Sequence, residues 1–323
     1  MTRCPAMTGL AASPRLPVAR VLLLALGLAT LLVAAPAVAQ RLEEGADGRL
    51  KIVPEDSLAR EQDELPAEGE APRWIEGRGE NELVLIHGLG ANRSIWDEVR
   101  PYLVNTFQLH EYELHGHGHT PPLPDATIET EAAALRAWIQ AEGLVYPSLV
   151  GHGLGGMVAM QYAFEHPRDV QRLVVIDTAP RQLAAPELKS KVADALLADY
   201  DRFVASRYLD ISNDEEINRR AVDMALRTDS ATFASLLLSS FDWDLTDELP
   251  RQSVPMLVVG SEFFLPQEGY ERAFLEQYGF GQARVLSFKR LAHTGHYCML
   301  EKPALLASVI MVYITQEELP APE

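Results

Sequence analysis

The sequence has 323 residues, of which 47% are hydrophobic and 23% are charged, as expected for a globular protein with a sizeable core. Its 46 acidic residues outnumber its 28 basic residues, which gives a formal net charge of −18 at pH 7. Because nucleic acids and anionic membranes repel a chain of this charge, the composition argues against both as partners.

Residues 1–39 have the pattern of a secretory signal peptide. Arg3, Arg15 and Arg20 precede an apolar run over residues 21–35, and Ala37-Val38-Ala39 matches a small-x-small cleavage site. The run is shorter than the roughly 20 residues that span a bilayer, so cleavage is favoured over retention as a membrane anchor. We therefore expect an exported protein, periplasmic or secreted, with no stable membrane anchoring after cleavage. Cleavage leaves Cys298 as the one cysteine, so no internal disulfide is expected.

Residues 40–72 are rich in Asp and Glu and poor in aromatic residues, which predicts an acidic, flexible leader. From about Trp74 onward, short apolar runs alternate with amphipathic segments, which is typical of a parallel sheet covered by helices. The predicted strands of this first part are residues 83–86, 107–114, 149–150 and 173–176. The predicted helices between them are residues 95–103, a segment that begins at Thr127, and residues 154–165.

The strand pattern stops after residue 180, and residues 181–249 predict a helical cap or lid, with helices over 188–209, 216–227 and 230–239. Strand character returns over residues 255–260 and 284–288, followed by helices over 269–278 and 303–313. We therefore predict an α/β core formed by residues 73–180 and 250–323, with a doubly wound, mostly parallel sheet. In such sheets the ligand site lies at the carboxyl ends of the strands.

The third predicted strand ends in a tight glycine-rich turn, Gly151-His152-Gly153-Leu154-Gly155-Gly156. A strand, a sharp turn and a helix start are the surroundings of a nucleophile elbow, G-x-S-x-G, which lifts one side chain above the sheet. Here glycine stands at the serine position. The turn is retained, but Gly153 offers no attacking atom.

The chain resembles the α/β-hydrolase family, in particular its cap-bearing branch of small-ester hydrolases, enol-lactonases, dehalogenases and C–C bond hydrolases. Beside the elbow, the motifs that carry this resemblance are Leu83-Val84-Leu85-Ile86-His87-Gly88-Leu89-Gly90, Gly116-His117-Gly118, Asp177-Thr178-Ala179-Pro180 and Thr294-Gly295-His296 followed by Glu301-Lys302-Pro303. The resemblance implies the family fold from Trp74 onward.

The family uses a Ser-acid-His triad in that chain order. The resemblance places Gly153 at the nucleophile position and His296 at the base position. Phe263 stands where the family usually has its aspartate, and the neighbouring Glu262 is a candidate acid. Whether Glu262 or Asp177 reaches His296 stays open. The N–H groups of Leu89 and Leu154 are the implied oxyanion donors, surrounded by His87, Gly88 and His152.

Two functions remain open on this basis. The first is a degenerate hydrolase, or pseudoenzyme, that binds a small, partly apolar molecule. The second is a hydrolase or lyase for ester- or lactone-like substrates with His296 as general base. Ordinary serine-hydrolase activity is predicted to be absent, because no acyl-enzyme can form without a nucleophile. No cofactor is expected.

Three further interpretations of the same residues also remain. The segment from Gly151 to Gly156 satisfies the dinucleotide-binding pattern G-x-G-x-x-G, with Asp177 as a possible ribose ligand. The alternating His115, His117 and His119 could offer ligands to a metal. Substitute nucleophiles without an elbow would be Ser94, Ser148, Ser261, Thr294 and Cys298, of which Ser261 and Cys298 are nearest the acid and base loops.

Overall fold

The computed structural model describes residues 42–44, 50–52, 75–123, 125–182 and 186–316. The predicted signal peptide lies outside these residues, as does most of the predicted leader. Within that leader, β1 (Leu42–Glu44) and β2 (Leu50–Ile52) pair as antiparallel strands.

The main sheet has seven strands within the described residues, in the order β3-β5-β4-β6-β7-β8-β9. Its short edge strand β3 is antiparallel to β5, and the other neighbours are parallel. This confirms the predicted fold class. The strands are β3 (Ile75–Gly77), β4 (Asn81–Ile86), β5 (Phe107–Tyr112), β6 (Ser148–His152), β7 (Leu173–Ile176), β8 (Met256–Ser261) and β9 (Leu286–Leu291).

The central strands β6, β7 and β8 are buried along their whole length, which explains why they read as continuous apolar runs. Helices flank the sheet: α3 packs against β6 and β7, and α1 packs against β5 and α10. The helices are α1 (Arg100–Leu103), α2 (Ile128–Ala141), α3 (Leu154–Glu165), α4 (Pro186–Ala198), α5 (Tyr200–Tyr208), α6 (Glu215–Leu226), α7 (Ser230–Ser240), α8 (Glu271–Tyr278), α9 (Cys298–Glu301) and α10 (Pro303–Thr315).

Two predicted helices are each divided. The segment 188–209 forms α4 and α5, because Asp199 is extended and its carboxylate accepts a hydrogen bond from the N–H of Arg202, which begins a new helix. The segment 95–103 forms a 3₁₀ turn over Arg93–Trp96 and then α1. Proline lacks an N–H and is tolerated in the first turn of a helix, so Pro101 fits a new start at Arg100.

Helices α4 to α7 leave the sheet after β7, and the chain returns before β8. The two ends of this insertion meet: Arg181 and Asp244 form an antiparallel bridge, and the N–H of Leu245 donates to the carbonyl of Pro180 at 2.8 Å. None of the helices in the described ranges is long and apolar enough to cross a bilayer.

Candidate functional site

The turn between β6 and α3 has the backbone shape of an elbow. Gly153 adopts φ 52° and ψ −120°, a conformation that favours glycine, and its N–H donates to the carbonyl of Ile176 at 2.9 Å. A Cβ at Gly153 would lie 3.6 Å from His296 Nε2, an ordinary contact distance. By contrast, a Cβ at Gly155 would lie 2.2 Å from the carbonyl oxygen of His87, so this glycine is required for close packing.

His296 is held at its backbone and at its ring. Its N–H donates to the carbonyl of Ile211 at 2.7 Å, and its carbonyl accepts from Nε2 of His152 at 3.0 Å. Ring atom Nδ1 contacts Oδ2 of Asp177 at 3.1 Å, which assigns the imidazole proton to Nδ1. Nε2, the other ring nitrogen, lies 3.6 Å from a Cβ placed on Gly153.

The carboxylate beside His296 belongs to Asp177 and not to the other candidate, Glu262. Oε1 of Glu262 instead accepts from Arg290 Nη2 at 2.7 Å, and its pKa is lowered mainly by a backbone hydrogen bond from His293. Asp177 directly follows β7, next to the elbow strand, and is buried. Phe263, at the usual acid position, lies with its ring centroid 5.5 Å from that of His296.

Ser261 fixes the Asp177 carboxylate from the end of β8. Its N–H donates to Oδ1 at 2.7 Å, and its hydroxyl donates to Oδ2 at 2.5 Å. Because this hydroxyl is buried and already bonded, Ser261 supports the acid and is not placed as a nucleophile. Cys298 is also buried, and desolvation raises the pKa of its thiol well above the usual value, so its reactive thiolate is disfavoured.

The loop after β4 is held by hydrogen bonds to its backbone. The carbonyl of Gly88 accepts from His87 Nδ1 at 2.8 Å and from the N–H of Ala91 at 3.1 Å. The N–H of Gly90 donates to His117 Nε2 at 3.0 Å. No hydrogen bond from the N–H of Leu89 or of Leu154, the first residue of α3, is found within the described part of the chain. These are the two N–H groups that the resemblance implies as oxyanion donors.

The histidines around the turn are braces and do not face a ligand. His87 donates to Gly88 and accepts from the N–H of Leu114 at 3.1 Å, so both ring nitrogens are used. Burial lowers the pKa of His87 to about 3 and that of His117 to about 4, and it lowers the pKa of His152 well below its usual value. His87 and His152, which the resemblance places around the oxyanion donors, thus hold the neighbouring backbone through hydrogen bonds of their rings.

The dinucleotide interpretation does not fit the geometry. A Cβ at Gly156 would lie 2.5 Å from Cγ2 of Thr178, so close helix–strand packing already accounts for this glycine. Asp177 is committed to Ser261 and His296, and it is not available to a ribose. Among the residues that the structure describes, no group of three or more His, Cys, Asp or Glu side chains is arranged to hold a metal. Nδ1 of His115, one of the three alternating histidines, pairs instead with Glu131 at 3.2 Å.

Comparison with known proteins places this geometry in context. Residues 83–309 match the Alpha/beta hydrolase family. The chain is 29% identical over 197 residues to pimeloyl-(acyl-carrier protein) methyl ester esterase of Vibrio cholerae, covering 57% of this chain and 75% of that relative. It is 36% identical over 155 residues to the enzyme of the same name from Methylococcus capsulatus, covering 44% of this chain and 59% of that relative. The enol-lactonase of Burkholderia xenovorans has the same fold, with a TM-score of 0.66 at 21% identity over 76% of this chain and 96% of that one.

Proposed function

Because the chain belongs to the alpha/beta hydrolase family, we propose that it hydrolyses small esters or lactones with water as the nucleophile and His296 as the general base. The observation that carries this proposal is the oriented His296–Asp177 pair. Its free Nε2 faces the elbow turn, 3.6 Å from the Cβ position of Gly153. A base and an acid that orients it thus lie beside the elbow turn, and the loop after β4 is adjacent, with the Cα of Gly88 3.9 Å from the same Cβ position.

In the proposed reaction, Nε2 of His296 removes a proton from a water molecule as the water oxygen attacks the ester carbonyl carbon. The Asp177 carboxylate stabilises the resulting imidazolium through Nδ1–H. Negative charge develops on the carbonyl oxygen, which the N–H groups of Leu89 and Leu154 stabilise. Collapse of the tetrahedral intermediate breaks the bond to the leaving alkoxide, which takes the proton from Nε2. The products are a carboxylic acid and an alcohol, and no acyl-enzyme forms.

The comparisons support hydrolysis over binding alone, because the curated relatives are named esterases that act on a methyl ester. From these names we take a small alkyl ester as the proposed substrate of this chain, and we do not propose that it binds a carrier protein. A polypeptide with a net charge of −18 has no general electrostatic attraction for an acidic partner.

One observation favours a second candidate function, a pocket that binds a small molecule without turnover. Gly153 provides no covalent nucleophile, and general-base activation of a water that no side chain fixes is a weaker mechanism than attack by a positioned serine. The two candidates share the pocket and differ in whether His296 is needed for a chemical step.

The deciding experiment measures hydrolysis of short-chain p-nitrophenyl esters by the wild-type protein and two loop variants. We expect His296→Ala to lower kcat/KM by at least about 100-fold, the usual contribution of a general base. The matched control is His293→Asn, because His293 lies in the same loop, its side chain is 84% exposed, and asparagine tolerates its positive φ. Absence of wild-type turnover, with ligand-induced thermal stabilisation that His296→Ala leaves intact, would favour the binding function instead.

We also propose that residues 1–39 direct export and are removed. Their basic start, apolar run and Ala37-Val38-Ala39 site support this. Mass spectrometry of the protein recovered from a bacterial periplasm would test it, with a mature N-terminus at Gln40 as the expected result.

A further inference from the structure

We propose that Tyr208, at the end of α5 in the inserted helices, is a positioning residue that orients the oxyanion loop after β4. The inference rests on the proposed ester hydrolysis and adds to it a residue that contacts neither the base nor the acid. Under this proposal, the reaction depends on how the inserted helices α4–α7 pack against the core.

The hydroxyl of Tyr208 donates a hydrogen bond of 2.6 Å to the carbonyl oxygen of Leu89. The tyrosine is buried, and the loop lies directly against it, because a Cβ at Gly90 would be 2.6 Å from the hydroxyl oxygen. The peptide between Leu89 and Gly90 is therefore held at both ends. Tyr208 holds its carbonyl, and His117 holds its N–H.

This restraint matters because it acts on the residue that supplies an oxyanion donor. The preceding carbonyl, that of Gly88, is already fixed by His87 and Ala91. The N–H of Leu89 belongs to the same peptide as the Gly88 carbonyl, and Tyr208 and His117 fix the next peptide, so the backbone on both sides of the Leu89 Cα is restrained. Oxyanion stabilisation depends on such preorganised donors, because a donor that must reorient during the reaction contributes less.

The chain segment that follows Tyr208 also contacts the base loop. The carbonyl of Ile211 accepts from the N–H of His296 at 2.7 Å, and a Cβ at Gly295 would lie 2.5 Å from the same carbonyl oxygen. The hydroxyl of Ser212 donates to Glu301 Oε1 at 2.6 Å, and Glu301 Oε2 accepts from the N–H of Gly295 at 2.8 Å. One short segment, residues 208–212, thus sets the positions of the oxyanion loop and of the base loop.

The test compares Tyr208→Phe with Tyr200→Phe. Tyr200 is the matched control, because it lies on the same helix and also packs edge-on against Phe233, but its hydroxyl makes only a 3.4 Å contact with the carbonyl of Ala225. For Tyr208→Phe we expect kcat for p-nitrophenyl esters to fall about tenfold, as for loss of the hydrogen bond to Leu89, with KM within about twofold. The same change also removes the hydrogen bond between the hydroxyl and the Arg207 side chain. The Ki of a non-covalent alkyl methylphosphonate, which resembles the tetrahedral intermediate, should rise by the same factor as kcat falls.

Three outcomes decide the proposal. An unchanged kcat in Tyr208→Phe, with an active wild type, would overturn it while leaving ester hydrolysis intact. Equal losses in Tyr208→Phe and Tyr200→Phe would also overturn it, because they would indicate general loosening of the helix. If the wild type shows no turnover, the proposed function fails, and amide hydrogen exchange at Gly90 and Ala91 still tests the restraint. Faster exchange in Tyr208→Phe alone supports the positioning role, and unchanged exchange contradicts it.

Discussion

The two sides of the site offer different kinds of atoms to a substrate. The turn after β6 and the loop after β4 offer backbone N–H groups at Leu154 and Leu89, and they keep these donors whatever side chain stands at residue 153. The opposite side offers side-chain atoms of His296 and Asp177, each fixed by a specific partner. The side chain at residue 153 therefore decides whether a covalent nucleophile is present, and the rest of the site does not depend on it. A substitution of His296 or Asp177 removes a side chain that the proposed reaction uses.

The largest expected effect is the gain of a nucleophile in Gly153→Ser. A serine Cβ meets His296 Nε2 at 3.6 Å, so its hydroxyl can reach hydrogen-bond distance of that nitrogen by rotation about χ1. We expect the wild type to form no adduct with a fluorophosphonate probe and the variant to be labelled stoichiometrically, as measured by intact-protein mass spectrometry.

Gly153→Ala is the control for this gain. It adds the same Cβ at the same positive φ, with a loss of stability of about 1 kcal/mol in both variants, but it adds no hydroxyl. If the probe labelled the wild type or Gly153→Ala, the nucleophile would be a residue other than 153. The contrast between the two sides of the site would then be wrong.

The next effect concerns the choice between two carboxylates. Asp177→Asn should lower kcat/KM for ester hydrolysis by about 10³-fold, because a neutral amide no longer stabilises the imidazolium or enforces the correct tautomer. Glu262→Gln should change kcat/KM by less than about twofold, since Glu262 pairs with Arg290 and not with His296. Steady-state kinetics of both variants check this, and equal losses would mean that the acid is shared.

The remaining effect is on stability and tests whether the buried histidines brace the backbone side of the site. His87, His117 and His152 are buried, with pKa values lowered to about 3, to about 4 and well below 6.5. Below pH 6.5 the unfolded chain takes up protons that these folded histidines do not, so the free energy of unfolding falls as the pH falls. At pH 5 the loss is about 2 kcal/mol for each of His87 and His117, from about 1.5 pH units at 1.36 kcal/mol each. Urea unfolding at pH 7 and pH 5 measures it, and equal midpoints would contradict the burial argument.

The core strands were predictable because they are buried on both faces and read as unbroken apolar runs ended by glycine or histidine. The edge strand β3 was not, because it has three residues and no buried position. The break between α4 and α5 was missed because Asp199 ends one helix and caps the next within a pattern of continuous helical spacing.

The site was predictable where it depends on local sequence, as at the glycine-rich turn. The choice between Glu262 and Asp177 as the partner of His296 was not, because Asp177 and His296 are 119 residues apart and meet only through the parallel register of β7, β8 and β9. The available signal was an aspartate at the end of the strand next to the elbow strand. Phe263 at the usual acid position was a second signal. An aromatic ring cannot act as the acid, so another strand has to supply it.

The acid, Asp177, directly follows β7. The surface loop beyond β8 therefore does not have to supply a carboxylate to His296. Ser261 is the last residue of that region to contact Asp177, and residues 267–270 are exposed, with no atom within 4 Å of a Cβ at Gly269. An inserted reporter sequence or affinity tag at Gly269 would therefore sit on a tolerant exterior stretch, and the protein could be immobilised or labelled there without disturbing its chemistry.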